Sequence, residues 1–138
     1  MPAGQRSALA LASLLAVAGI THFARPQPYD TIVPGWVPGS ARTWTYASGA
    51  AELAVAAAIT HPRTRRTGGL AAAALFAAVF PANVKMAVDW RRRSVPRRAI
   101  AYARLPLQGP LVWWALQVAR GGPPGGLSQV PWRTCPVA

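Results

Sequence analysis

The chain has 138 residues, a length that predicts a single domain. Apolar residues make up 52% of it and charged residues only 13%, whereas a soluble domain has roughly 25% charged residues. The net charge of +12 would suit a nucleic-acid-binding protein, but so few acids in so apolar a chain favour a membrane protein with basic loops and no nucleic acid partner. The single cysteine, Cys135, excludes an internal disulfide, a Cys-x-x-Cys redox pair and a cysteine-rich zinc site.

Four apolar stretches of similar length follow one another along the chain. None alternates with the period of two that marks a strand, and none carries the wide polar stripe of a surface helix. Residues 70–80 have no polar side chain around the whole circumference of a helix, which fits lipid better than the core of a soluble four-helix bundle. We therefore predict an all-α fold, an integral membrane bundle of four transmembrane helices, at residues 7–23, 44–60, 68–88 and 100–119.

The first apolar stretch has a second interpretation. Arg6 precedes it and residues 16–18 resemble a cleavage site, so the stretch also fits a signal peptide. Because three more apolar stretches follow, an uncleaved first helix is the simpler prediction. The four helices then form one transmembrane domain over residues 1–119, and the Gly/Pro-rich residues 120–138 form a flexible C-terminal tail.

The connections between the stretches differ in kind. Residues 24–43 contain four prolines, cannot form a continuous helix, and are expected at the membrane–water interface. Residues 61–67 and 89–99 are short basic loops. Four crossings would place the N-terminus, residues 61–67 and the tail on one side of the membrane, called side A. The connections 24–43 and 89–99 would then lie on the opposite side, called side B.

The polar side chains of the predicted helices lie toward side B. At a rise of about 1.5 Å per residue, Glu52 is about 12 Å and Arg104 about 6 Å from side B. Ionisable groups at such depths are costly and normally face partners or a water-filled cavity. The residues expected to share one polar pocket are His22, Glu52, Asn83, Arg104 and Gln108, with Lys85 as a possible accessory cation.

Two interpretations of this polar group stay open. In the first, Glu52 pairs with Arg104 or Lys85, and the group fixes the register of the helices without doing chemistry. Lys85 would then extend to the interface, and His22 would be an interfacial histidine. In the second, the group lines a pocket built around Glu52 and Arg104 that handles a small molecule, a quinone or a proton.

Six short segments occur in order between about residues 18 and 114, namely GITHF, VPGWVP, SGAAEL, PRTRR, VFPAN and RLPLQ. As an ordered set they resemble the DoxX-like family of small bacterial four-helix integral membrane proteins. The polar positions that match the family pattern are His22, Glu52, Asn83, Arg104 and Gln108.

The resemblance implies a multi-pass protein of the bacterial inner membrane with both termini in the cytoplasm. It also implies an accessory or scaffold subunit of a membrane complex, quinone-linked redox complexes being the candidate, with lipids and a redox or other membrane protein as partners. No independent catalytic motif, metal site or cofactor motif is recognisable, so enzymatic activity stays open. A quinone is the cofactor that the resemblance suggests.

Overall fold

The computed structural model describes residues 1–121. This part of the chain is helical and contains no β-strand, so the all-α prediction is confirmed for it. In chain order the helices are α1 (Ala3–Ala24), α2 (Gln27–Asp30), α3 (Ala41–Thr60), α4 (Arg65–Ala78), α5 (Phe80–Asp89) and α6 (Val95–Arg120).

The long helices pack in an order that follows the chain. α1 packs against α3, α3 also packs against α4, and α6 lies along both α4 and α5. A Cβ added to Gly19 would lie 2.8 Å from the backbone oxygen of Gly49, and one added to Gly69 would lie 2.7 Å from the backbone nitrogen of Ala119. Only glycine fits such contacts, so α1 and α3, like α4 and α6, approach each other backbone to backbone.

Small and aliphatic side chains fill the interior of the bundle. These side chains form two clusters, of which the smaller consists of Met86, Ala87 and Ala101 and lies between α5 and α6. The main cluster occupies the end of the bundle that holds the N-terminus, the α3–α4 connection and the end of α6, and the label side A is kept for this end. Close helix packing there leaves room for little more than alanine and leucine. Its buried members are Ala8, Leu11, Ala12, Leu15, Ala56, Ile59, Ala72, Ala73, Ala115 and Val118.

The third predicted helix, residues 68–88, is divided in two. α4 and α5 are separated by the single residue Val79. Pro81 lies in the first turn of α5, where its missing N–H is not needed for a hydrogen bond within the helix. The division follows from this proline, and the two helices together still form an apolar length, Arg65–Asp89, long enough to cross a membrane.

The last helix is longer than the sequence predicted. α6 begins at Val95 and not near residue 100, so part of the predicted basic loop 89–99 is helical. It continues through Pro106 and Pro110, each of which removes one backbone donor. The helix ends at Arg120 and is capped by Gly121, whose φ of +76° is in the left-handed region that glycine adopts without strain.

Two helical lengths among the described residues are long and apolar enough to cross a membrane, namely α1 (Ala3–Ala24) and α4 with α5 (Arg65–Asp89). The predicted spans at 44–60 and 100–119 correspond to α3 and α6, whose charged and polar residues lower their hydropathy. The helical fold is therefore established for residues 1–121, whereas four crossings stay a prediction. The predicted tail at 120–138 lies outside the described residues, apart from the end of α6 and its cap.

Candidate functional site

A cavity of about 330 Å³ lies at the side-B end of the bundle. It is lined by α1, α3, α5 and α6, by the end of α4, and by the segment 25–40, which joins α1 to α3 and is called the cover segment. A mostly apolar wall with a few convergent polar groups is typical of small-molecule sites. The polar side chains in the wall are His22, Thr45, Ser48, Glu52, Asn83 and Arg104, and the larger apolar ones include Tyr29, Ile32, Val33, Trp36, Val37 and Trp44.

The cavity brings together four of the five residues predicted to share a polar pocket, and the fifth lies directly behind the wall. His22, Glu52, Asn83 and Arg104 line the cavity. Gln108 is 8% exposed, does not line the cavity, and contacts Asn83 from behind. The group therefore assembles from α1, α3, α5 and α6, which are distant in sequence.

Packing of α1 on α3 places His22 beside Glu52. Each residue follows by one turn the glycine, Gly19 or Gly49, at which the two helices touch. The imidazole Nδ1 lies 3.2 Å from Glu52 Oε2 and 2.8 Å from the backbone oxygen of Ala18. Since a carbonyl oxygen can only accept, Nδ1 carries a proton.

The carboxylate of Glu52 keeps unused capacity to accept hydrogen bonds. Its Oε2 atom is buried and has no hydrogen-bond partner among the described residues. Although His22 Nδ1 is close, its proton is directed to the Ala18 carbonyl, so we describe the contact with Glu52 as electrostatic. A buried carboxylate that lacks hydrogen bonds is costly unless a cation or a ligand donor compensates it.

A chain of hydrogen bonds fixes the direction of Arg104. Its Nε donates to Asn83 Oδ1 at 3.0 Å, and Asn83 Nδ2 donates to Gln108 Oε1 at 2.9 Å. Gln108 Nε2 in turn donates to the backbone oxygen of Phe76, just before the break between α4 and α5. Asn83 and Gln108 are both buried, so this network orients the guanidinium from inside the protein.

The charge pairing in the structure differs from the predicted one. The sequence predicted Arg104 or Lys85 as the cation of Glu52, but the residue within salt-bridge distance of Glu52 is His22. Lys85 instead pairs with Asp89 on the next turn. The rise per residue determines the depth of a side chain, whereas its direction depends on the rotation of the helix, which the sequence does not reveal.

Lys85 acts outside the cavity wall. In addition to its pair with Asp89, its Nζ donates to the backbone oxygen of Thr31 at 3.0 Å. It thereby ties α5 to the cover segment. Lys85, which was predicted as an accessory cation of the pocket, therefore contacts the cover segment and does not line the cavity.

Tyr29 connects the cover segment to the site. Its ring stacks on the imidazole of His22, with ring centroids 3.8 Å apart and an angle of 25° between the planes. Its hydroxyl lies 2.7 Å from the hydroxyl of Thr21. Stacking and hydrogen bonding together hold the imidazole against Glu52.

Asp30, which follows Tyr29 in α2, anchors this short helix to α3. Arg42 Nε donates to Asp30 Oδ2 at 2.9 Å, and the Thr45 hydroxyl donates to Oδ1 at 2.7 Å. The Arg42 guanidinium, helped by the Thr45 hydroxyl, holds the pKa of the Asp30 carboxyl below its usual value. Trp44 adds a further anchor, since its Nε1 donates to the backbone oxygen of Pro38 at 2.6 Å.

The sequence did not single out Asp30 and Thr45, although both shape the site. One signal was available, because Asp30 is one of only three acids in the chain. The fold of the cover segment over the bundle end was not readable, because its prolines indicate only that it is not one continuous helix.

The site has the groups to bind a small molecule from several directions. Glu52 can accept hydrogen bonds, the guanidinium of Arg104 can donate them, and the aromatic rings of the cover segment and α3 can contact a flat apolar body. Within residues 1–121 no group of three or more His, Cys, Asp or Glu side chains could hold a metal ion.

A comparison with protein families gives a match over most of the chain. A family model described as Domain of unknown function (DUF8561) matches residues 11–119, which includes every residue of the cavity wall. No curated protein and no solved structure matches the chain.

Proposed function

The chain belongs to the DUF8561 family, a domain of unknown function, and we propose that it is a multi-pass membrane protein that binds a small amphipathic molecule in the side-B cavity. The observation that carries this proposal is the cavity of about 330 Å³, in which an apolar wall surrounds the His22–Glu52 and Asn83–Arg104 pairs. Cavities of this size and composition are the usual binding sites of small ligands.

The packing of the helices supports four membrane crossings. α1 and the α4–α5 length are apolar enough to cross, and α3 packs along both α1 and α4. α3 has 20 residues and α6 has 26, so at about 1.5 Å per residue each reaches about 30 Å or more, the thickness of a bilayer core. Two helices of that length packed beside membrane-spanning neighbours would cross with them.

The outer surface of the bundle supports the same proposal. On α1, Leu14, Val17 and Ile20 are 42%, 62% and 56% exposed. Leu107 and Trp113 on α6 are also exposed. Soluble monomers rarely leave large apolar patches uncovered, whereas lipid tails would cover them at no cost.

The arginines at the ends of the bundle fit a membrane setting as well. The connection between α5 and α6 and the first turn of α6 carry five of them, and phospholipid headgroups are their natural partners. We propose the bacterial inner membrane as the location, with the termini in the cytoplasm, from the DoxX-like resemblance alone.

Kinship with the DoxX-like family, and a role as accessory or scaffold subunit of a quinone-linked redox complex, stay predictions from the sequence. Both are compatible with a ligand cavity, since a quinone ring is flat and Tyr29, Trp36 and Trp44 line the wall. A quinone is therefore a suitable probe of the cavity.

The proposal is tested by ligand binding to the purified protein in mild detergent. The probes are a short-chain ubiquinone and 2-naphthoate, and the binding of each is measured by tryptophan fluorescence and by calorimetry. We expect the wild type to bind at least one probe. Ser48→Phe, which fills the cavity from its wall, should abolish that binding, whereas Ala54→Phe, on an exposed position of the same helix, should preserve it.

Two results would overturn the proposal. One is a folded wild-type protein that binds neither probe. The other is unchanged binding by Ser48→Phe, because a ligand that tolerates a phenyl ring in the cavity is bound elsewhere.

A further inference from the structure

We infer that the ligand of the side-B cavity carries a carboxylate group and that Arg104 binds it. This inference rests on the proposed function, because it concerns the same cavity and names the chemical class of its ligand. Two observations support it: the three acidic residues of the chain pair with residues other than Arg104, and the guanidinium of Arg104 is oriented by Asn83.

The protein itself supplies no side-chain carboxylate to Arg104. The chain has three acidic residues, and all of them lie in the described part. Glu52 contacts His22 at 3.2 Å, Asp30 contacts Arg42 at 2.8 Å, and Asp89 pairs with Lys85. None of the three acidic side chains forms a salt bridge with Arg104, so a ligand in the cavity can be the direct ion-pair partner of this guanidinium.

The guanidinium is oriented and has donors to spare. Of its five N–H groups, only Nε is engaged by a described residue, Asn83. Asn83 is itself held by Gln108, so the plane of the guanidinium is fixed before a ligand arrives. Arg104 lines the cavity and is exposed, which leaves its remaining N–H groups accessible to a ligand.

Carboxylates match this arrangement better than neutral groups do. Two parallel N–H donors of a guanidinium bind the two oxygens of a carboxylate, and such charge-assisted bonds are about twice as strong as neutral ones. The rest of the wall is apolar and aromatic, including Val33, Trp36 and Trp44, so the remainder of the ligand is an apolar body. The ligand class is thus a monocarboxylic acid with an aromatic or aliphatic body.

A matched pair of probes separates charge from shape. 2-Naphthoate and its neutral isostere 2-naphthamide have the same ring, and each is titrated into the full chain in mild detergent. We expect the wild type to bind the carboxylate about tenfold more tightly than the amide, or by a larger factor. Arg104→Gln should remove most of this preference by weakening naphthoate alone, whereas Arg98→Gln, six residues earlier on the same helix and outside the cavity wall, should keep it.

A second variant guards against a folding defect. If Arg104→Gln lowers the melting temperature, Arg104→Lys keeps the positive charge but loses the planar fork. We expect it to bind naphthoate with an affinity between those of the wild type and of Arg104→Gln.

The outcomes distinguish this inference from the proposed function. Equal binding of naphthoate and naphthamide that Ser48→Phe abolishes would overturn the carboxylate inference and leave the cavity a site for neutral rings. A carboxylate preference that both Arg104→Gln and Arg104→Lys retain in full would also overturn it. Failure of every probe, the quinone included, would instead overturn the proposed function.

Discussion

Asp30 holds the cover segment over the cavity through two hydrogen bonds, one from Arg42 and one from Thr45. These bonds need the ionised carboxylate, and they lower its pKa in the folded state. A lowered pKa means that the contribution to stability is complete above the carboxyl's ordinary range and is lost as the pH falls through the lowered value.

We therefore expect Asp30→Asn to lower the melting temperature at neutral pH, with a gap to the wild type that narrows as the pH falls below about 4, the usual range of a carboxyl group. Thermal unfolding followed by circular dichroism in mild detergent measures both curves. Asp89→Asn, which removes the acid at the C-terminal end of α5, serves as the control and should retain the pH dependence due to Asp30. A constant gap between wild type and Asp30→Asn down to pH 2 would rule out this role.

Sequence reasoning selected residues that share one cavity, but it did not predict the contacts between their side chains. Depth along each helix follows from the rise per residue, and it selected His22, Glu52, Asn83 and Arg104, which do line one cavity. The pairing of Glu52 with His22 depends on how α1 and α3 rotate about their axes. That rotation is set by glycine contacts across the interface, and no single-sequence pattern reveals it.

The crossing of helices α1 and α3 determines the geometry of the site. Gly19 and Gly49 lie at the point of contact, and one turn later His22 and Glu52 meet. A Cβ on Gly49 would lie 2.7 Å from the Cβ of His22 and 3.0 Å from the backbone oxygen of Gly19. Neither atom belongs to the flexible end of a side chain, so the two helices would have to separate.

We expect Gly49→Ala to destabilise the fold by about 1–3 kcal/mol, the usual cost of overpacking a tight contact. The control is Gly35→Ala in the cover segment, where an added Cβ meets nothing within 4 Å and φ is not positive. That variant should be neutral or slightly stabilising, because alanine reduces the conformational freedom of the unfolded chain. Comparing the melting temperatures of the two variants with that of the wild type measures the difference, and equal values would show that α1 and α3 do not touch at Gly49.

The division of α4 from α5 shows what the sequence can predict about an element. Pro81 within an apolar stretch indicates a kink, but not the residue at which the helix breaks. In the structure the break falls at Val79, which puts Pro81 in the first turn of α5. Gln108 then spans the break, since it bonds the backbone of Phe76 before it and Asn83 after it.

Polar and apolar residues in the interior of the molecule are separated along the axis of the helical bundle. Buried alanine and leucine fill the side-A half, and the polar groups gather around the cavity at side B. Composition and the four apolar stretches predicted the helical fold. They could not establish the number of crossings, because α3 and α6 carry the charged residues that line or flank the site.

The proposal that the helices cross a membrane and open their cavity at side B is tested most directly by cysteine accessibility in membrane vesicles of known orientation. Single cysteines replace Arg63, Ser94 or Ser48 in a Cys135→Ser background, and an impermeant maleimide is applied from each face in turn. We predict that Ser94→Cys reacts from one face of the membrane and Arg63→Cys from the opposite face. Ser48→Cys should react from the same face as Ser94→Cys. Labelling of Arg63→Cys and Ser94→Cys from one common face, or of Ser48→Cys from the face that labels Arg63→Cys, would contradict four crossings with the cavity open at side B.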